Sequence, residues 1–301
     1  MIPTVQIFLS TYNGEKYLRE QLNSLLVQEN VKIHILVRDD GSTDNTINIL
    51  KEYHANNKLD YYFGNNLGYA KSFLHLLSNN VNADYYAFCD QDDIWLPNKL
   101  IKAINQINTE TIPCLYASSL QRVDENLNYL NLQSFKNLQL NLGAEFTRHR
   151  LAGCTFVFNK KLYDIIKNAY YIKNLNTSHD KLITILCLAC RGKVLFDKNS
   201  YILFRRYGTN TSIDGKNLIK KIFNEFNHFT TYRHVESNLA KQVLDNYSSE
   251  IDSKSYILLK KITDYRYNMI DYIKLILSKD IDCGFWFYNL FIRFIIICRY
   301  F

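Results

Sequence analysis

The sequence predicts an α/β protein with a doubly wound, mostly parallel sheet, followed by a C-terminal helical region. Three observations predict it. Short apolar, β-branched runs alternate with segments of helical period through the first half. A polar, often acidic stretch follows each run, and beyond Gly215 the alternation gives way to helical period alone. Strands alternating with helices imply parallel pairing with both sheet faces covered.

The first strand is "VQIFLS", Val5 to Ser10, and Leu18, Leu22, Leu25 and Leu26 follow it at helical spacing. "IHILVRD", Ile33 to Asp39, is a second strand, succeeded by a helix-like segment carrying Ile47, Ile49, Leu50 and Tyr53. The pattern repeats in "DYYF" then Ala70 to Leu77, in "YYAFC" then Leu100 to Ile107, and in the strand "CLYASS". Downstream, "TSHDKLITILCLACRGKVLF" reads as a polar turn, a helix with apolar Leu182, Ile183, Ile185, Leu186 and Leu188, and a strand. The helical region carries Ile219, Ile222, Phe223 and Phe226, then Ile257, Leu258, Ile262 and Tyr265, and ends in "FWFYNLFIRFIIICRYF".

Composition narrows the class. With 301 residues, 47% hydrophobic and 22% charged, the chain can bury a substantial core. Three prolines and no low-complexity tract or repeat exclude disorder and repeat architectures. Seven cysteines scattered through apolar stretches fit a reducing, cytoplasmic setting better than a disulfide framework, and Cys187 and Cys190, on an apolar helix, read as packing. "MIPTVQIFLS" has neither the basic flank nor the cleavage site of a signal peptide. The net charge of +7 tilts mildly toward residues 215–301, with no Lys/Arg run to follow a phosphate backbone, so no nucleic-acid partner is expected.

In a doubly wound sheet, ligands bind beyond the carboxyl ends of the strands. Those ends carry Ser10-Thr11-Tyr12-Asn13-Gly14, Asp39-Asp40-Gly41-Ser42-Thr43-Asp44, Asn65-Asn66-Leu67-Gly68 and Asp90-Gln91-Asp92-Asp93. Each has a local explanation: Ser42 or Thr43 as a helix cap, Asp39-Asp40-Gly41 as a turn, Gly14 and Gly68 as turn glycines. Four in succession point instead to one crevice. No G-x-G-x-x-G follows the first strand, which excludes a dinucleotide cradle, and "GYAKS" lacks phosphate-loop spacing. Carboxylates repel phosphates, so an acidic crevice takes a nucleotide through a divalent cation that bridges the two.

"STYNGEKYLREQLNSLLVQ", "RDDGSTDNT", "NLGYAKSF" and "DQDDIWLPNKL", in this order, closely resemble the family 2 glycosyltransferases of GT-A fold, above all the bacterial rhamnosyltransferase branch that builds cell-wall and capsular polysaccharide. The likeness resumes with "LAGCTFVF", "SHD" and "FRRYGTN". It implies a GT-A catalytic domain over 1–214, with nucleotide-sugar binding in 1–110 and the acceptor side in 111–214, followed by the helical region 215–301. It also implies an inverting hexosyl transfer from a pyrimidine nucleotide, dTDP-rhamnose favoured over a UDP-hexose or UDP-N-acetylhexosamine, to a hydroxyl of a surface polysaccharide or lipid-linked oligosaccharide. The cofactor implied is Mg²⁺ or Mn²⁺.

Matched residue by residue, Asp92 falls on the metal-binding carboxylate with Asp90 beside it toward the ribose, and Asp40 on the acceptor for the pyrimidine N–H. Thr11, Tyr12 and Asn13 fall on the loop lining the base, and Lys71 lies where the family approaches the nucleotide. Asp180, in the His-Asp pair, falls on the catalytic base, and as Ser178 does it also suits a helix start. Arg205 keeps the pattern of a residue able to neutralise diphosphate charge. Asp93 and Trp95 match as well, though a helix-start carboxylate and a packed indole explain them equally. Two departures stand out: Lys181 and Leu182 follow the His-Asp pair where an aromatic residue is usual, and Tyr207 replaces a histidine, leaving no expected third metal ligand there.

The closing 17-residue stretch would extend about 26 Å as a helix, short of a roughly 30 Å bilayer core, with Arg293 near its centre. A helix lying in the membrane interface suits it better, with Asn289, Arg293 and Tyr300 on a polar stripe and Trp286, Phe287, Phe291 and Ile295 in lipid. That reading makes the protein peripheral at the inner face of the cell membrane. The alternative is docking onto the catalytic domain or a second copy in a homodimer. Two other classes compete: a nucleotidyltransferase, which usually opens with a glycine-rich basic loop where this chain has Ser-Thr-Tyr-Asn, and a non-catalytic sugar-nucleotide or polysaccharide-binding module, which would lose Asp92 or Asp180.

Overall fold

The computed structural model describes residues 2–133, 135–172, 175–207, 226–227 and 229–301. β1 (Thr4–Thr11) lies near the middle of the sheet, and its period-two alternation is two-sided: Val5, Ile7 and Leu9 enter one core, Phe8 the other. β2 (Lys32–Asp39) and β4 (Tyr85–Cys89) flank it in parallel, and β3 (Asp60–Phe63) extends the parallel set. The intervening helices α1 (Leu18–Leu26), α2 (Thr46–Ala55) and α3 (Tyr69–Leu77) return the chain to the starting edge each time. These elements agree with the sequence expectation to within a residue or two.

Beyond β4 the sheet becomes mixed. β5 (Ile94–Trp95), α4 (Lys99–Ile107), β6 (Cys114–Val123), β7 (Tyr129–Leu132), β8 (Val157–Asn159) and β9 (Lys193–Arg205) give, among the described residues, the order β3-β2-β1-β4-β8-β6-β9-β5, with β7 paired to β6. β8 runs antiparallel to both β4 and β6, and β5 antiparallel to β9, whereas β6 and β9 are parallel. β8 and β5 have three and two residues, too few for period two to be legible in sequence.

One face packs Leu18, Leu22, Leu100 and Ile104 against the sheet. The other packs α6 (Lys160–Ile166) and α7 (His179–Ala189). The later helices join this second core: Leu239, Ala240 and Val243 of α8 (Val235–Tyr247), Leu258, Leu259 and Ile262 of α9 (Ser253–Asp264), Leu275 of α10 (Met269–Ile276), and Ile292, Ile295 and Ile296 of α11 (Trp286–Ile297) all belong to it. The expected boundary at 214/215 and the residues Ile219, Ile222 and Phe223 lie outside the described residues. Cys187 and Cys190 are buried free thiols, as packing requires.

α11 departs from expectation in which face it turns outward. The expected polar stripe points inward: Asn289 accepts from the Cys283 N–H at 2.9 Å and donates to Asp282, while Arg293 donates to the carbonyls of Ile276 and Ser278. These carbonyls lie at the C-terminal end of α10, where unpaired oxygens and the helix dipole favour a cation. Ile295, placed in lipid by the sequence reading, instead fills the core, and Trp286 is 78% exposed.

Candidate active site

The strand-end loops converge, and Gln91 is their clamp. Its Oε1 accepts from the Thr11 hydroxyl at 2.6 Å and the Tyr12 N–H at 2.8 Å, and its Nε2 donates to the Tyr12 carbonyl at 3.1 Å. A Cβ on Gly14 would come within 2.5 Å of that Oε1, so the close approach requires glycine there. Asn13 spans to the next loop: its N–H donates to Ser42 Oγ and its Oδ1 accepts from the Thr43 N–H, both at 2.8 Å. Ser42 and Thr43 therefore join loops, and the residue that opens α2 is Asn45, a correction to the expected cap.

Asp40 is buried at the carboxyl end of β2. It pairs with Arg38 and accepts the N–H groups of Leu67 at 2.9 Å and Gly68 at 2.8 Å, which fixes the loop leading into α3. Three of about four lone-pair positions on that carboxylate are thereby used, leaving Oδ2 able to accept one more donor. Lys71 stands exposed in the first turn of α3, and Tyr12 is also exposed.

The acidic loop after β4 holds three carboxylates in different settings. Asp93 is buried, its Oδ1 accepting from the Arg205 N–H at 3.1 Å while Oδ2 has no hydrogen-bond partner. Asp92 accepts from the Tyr207 hydroxyl, the residue standing where a histidine was expected. Burial, then the charges of Asp92 and Asp180, push Asp90 up to about 7. Asp90, Asp93 and Cys154 each bring one possible ligand atom within 4.8 Å of the others. Burial, with Asp90 and Asp93 adding to it, holds the Cys154 thiol well above its ordinary range, so it is a poor partner for a hard cation. The crowded oxygens of Asp90 and Asp93 suit Mg²⁺ or Mn²⁺, whereas Asp92, the expected ligand, lies outside that group and is bonded to Tyr207.

Arg205 is placed differently from its expected role. It is buried beneath the acidic loop, where Nε donates to the Asp92 carbonyl at 3.0 Å, Nη2 to Glu20 at 2.7 Å, and the guanidinium stacks 4.2 Å from the Tyr17 ring. It holds the backbone of the acidic loop in place. Trp95 is buried with the Lys99 ammonium 3.6 Å from its ring centre, in accord with a packed indole.

Asp180 enters from the opposite side, in the first turn of α7. Its Oδ1 accepts the Lys181 N–H at 2.9 Å, and a Cβ on Gly153 would lie 3.3 Å from its Cβ, while the adjacent Cys154 groups with Asp90 and Asp93, so base and metal candidates lie on either side of the Gly153–Cys154 segment. Ser178 is the residue preceding α7, and its side chain caps no backbone N–H of the helix. His179 turns inward and stacks on Phe73 at 4.3 Å, where burial lowers it to about 4 and leaves it neutral. A Cβ on Gly153 would meet His179 Nε2 at 2.5 Å, the physical reason for glycine in "LAGCTF". Lys181, the departure from the usual aromatic, pairs with Glu236 of α8 at 2.6 Å and ties the base helix to the C-terminal helices. Gln91, Glu145 and His149 were not found by sequence reasoning, since none stands in a spacing that marks chemistry.

Known proteins resemble the chain in sequence and in fold. Residues 6–166 match the family model described as glycosyl transferase family 2. The dTDP-rhamnosyl transferase RfbG of Shigella flexneri is 31% identical over 182 residues, covering 57% of this chain; the matched region spans 60% of that protein's length. The glycosyltransferase RT0329 of Rickettsia typhi is 27% identical over 225 residues, covering 73% of this chain and 69% of that protein. Among solved structures, S. aureus TarS 1-349 in complex with UDP-GlcNAc superposes with a TM-score of 0.58 at 18% identity, covering 92% of this chain and 77% of the other. At that identity the likeness concerns the fold, which is GT-A.

Proposed function

The chain belongs to glycosyl transferase family 2, and from that premise we propose that it is an inverting, metal-dependent hexosyltransferase using a pyrimidine nucleotide sugar, dTDP-rhamnose first. The carrying observation is the approach of Asp180 to the acidic loop: a Cβ on Gly153 would lie 3.3 Å from Asp180 Cβ, and the next residue, Cys154, has its sulfur within 4.8 Å of carboxylate oxygens of Asp90 and Asp93. The similarity to RfbG supports the rhamnosyl donor. A UDP-hexose or UDP-N-acetylhexosamine is the second reading, favoured by the UDP-GlcNAc bound to TarS.

In this mechanism Asp92 and Asp90 would hold the divalent cation, which would supply Lewis-acid stabilisation to the leaving diphosphate. Thr11, Tyr12 and Asn13 line the base, Asp40 accepts the pyrimidine N–H through its remaining lone pair, and Lys71 approaches the nucleotide. Asp180 takes the acceptor hydroxyl's proton as that oxygen bonds to the anomeric carbon from the face opposite the nucleotide. The diphosphate departs with the electron pair of the broken C–O bond, and the configuration inverts. Arg205 maintains the acidic loop.

Slow donor hydrolysis by the purified protein, measured across a panel of sugar nucleotides, tests the donor. dTDP-rhamnose should turn over fastest. A faster UDP-sugar replaces the donor assignment, and no turnover or binding with any donor removes the transferase reading for this chain.

The acceptor in this reading is a growing surface polysaccharide on a lipid carrier, met at the cytoplasmic membrane face. No described helix is long and apolar enough to cross a membrane, but α10 and α11 together expose Met269, Ile270, Ile273, Trp286, Leu290 and Phe294. Such a surface suits shallow insertion among lipid headgroups. Deleting residues 285–301 would strip Ile292, Ile295 and Ile296 from the core, so substitution is the cleaner test. Trp286, Leu290 and Phe294 changed together to Ser should reduce vesicle binding at least about tenfold, since each buried side chain contributes roughly 1.5–3 kcal/mol, with little change in melting. Unchanged vesicle binding, or a dimer that dissociates instead, assigns the surface to protein contact.

A further inference from the structure

Behind Asp180 lies a line of ionisable groups that donor binding does not use. Glu145, buried in α5 (Leu142–Thr147), places Oε2 2.5 Å from His149 Nδ1. His149 Nε2, on the far side of the ring, lies 3.6 Å from Asp180 Oδ2 and has no hydrogen-bond partner of its own. A movement of roughly half an ångström would bring the pair within charge-assisted hydrogen-bond distance. Asp180 Oδ1 is already fixed by the Lys181 N–H, so a bond at Oδ2 would hold the carboxylate at two points.

We propose that Glu145 and His149 are positioning residues for Asp180, Glu145 orienting a charged imidazole whose Nε2–H holds the Asp180 carboxylate ionised and in a single orientation. This rests on the reading of Asp180 as the base. The charge state follows from the surroundings. Burial disfavours a charged His149, but the carboxylates on either side, Glu145 and Asp180, outweigh it and push the ring up to about 10. The groups acting on Asp180 are His149, His179 and Ser178, with Asp90 and Tyr69 across the crevice. Desolvation of Asp180 is overcome by His149, and its carboxyl falls well below the usual range. Without His149, Asp180 would be forced toward the protonated form, in which it cannot accept a proton. Stability alone does not account for the arrangement, because replacing a buried ion pair with apolar side chains is often neutral or stabilising.

The test uses the full chain with its preferred donor and acceptor, comparing His149→Gln, Glu145→Gln and Asp180→Asn with wild type. His149→Gln should lower kcat by about 10- to 100-fold, leave donor Kd nearly unchanged, and move the acid limb of the kcat/KM profile to higher pH; Glu145→Gln should do the same more weakly. If Asp180→Asn is inactive but His149→Gln matches wild type in kcat and pH profile, the positioning role is wrong. If Asp180→Asn keeps the wild-type rate, the base assignment itself falls. Should the variants fail to fold, ¹⁵N-histidine NMR of the wild type decides: one ring must remain imidazolium through about pH 8, and a spectrum in which every histidine titrates near neutrality overturns the proposal.

Discussion

Asp180→Asn should lower kcat by about 10² or more while donor affinity changes little. The substitution preserves size, and the amide oxygen can still accept the Lys181 N–H that Asp180 Oδ1 accepts now. What it removes is the capacity to take a proton. His149 loses one of its two carboxylate neighbours but keeps Glu145 at 2.5 Å, so the surrounding packing has reason to stay intact. Steady-state transfer, donor binding and a thermal melt together check this. A variant near the wild-type rate would place the base elsewhere and leave Asp180 as a helix-start residue.

Asp92→Ala, and removal of divalent cations by EDTA, should each abolish transfer. The two losses differ in reversibility: Mg²⁺ or Mn²⁺ restores the chelated wild type but not the variant. Burial raises the Asp92 carboxyl above its ordinary range, with the Tyr207 hydroxyl and Arg205 opposing the rise, so its ionised form costs stability rather than contributing it. The variant should therefore melt no lower than wild type by more than a few degrees, roughly the shift of a 1 kcal/mol change. Full activity in EDTA would sink the metal assignment.

The parallel half of the fold was legible because β1 and β4 are buried on both faces and the intervening helices carry one apolar stripe each. β1 to β4 and the helices between them needed only period and turn chemistry to be read. β5 and β8 were not legible, since their pairing is set by partners distant in sequence: β8 sits between β4 and β6, and β5 beside β9. The orientation of α11 was misread for a related reason. A hydrophobic count along one helix assigns polar residues outward, but Arg293 finds carbonyls at the end of α10, a partner no single-helix pattern contains. The acidic loop stood out in sequence by charge density alone. Arg205 was marked only by the family resemblance, and its charge meets Glu20 and the Asp92 carbonyl from beneath the loop, a direction that only tertiary placement reveals.

Gln91 sits between two acids in "DQDD", and its chemistry sets how far that position can vary. The Thr11–Tyr12 loop asks it for an acceptor and a donor at once. Glutamate would keep the acceptor, lose the donor and add a charge beside Asp90, which already struggles to ionise. Asparagine would stop one methylene short of Thr11, and lysine would replace with a donor the acceptor that the Thr11 O–H and the Tyr12 N–H need. Glutamine alone combines reach, neutrality and both hydrogen-bonding senses. The neighbouring carboxylates draw attention by their charge, yet the residue with least freedom to change in this loop is the uncharged one.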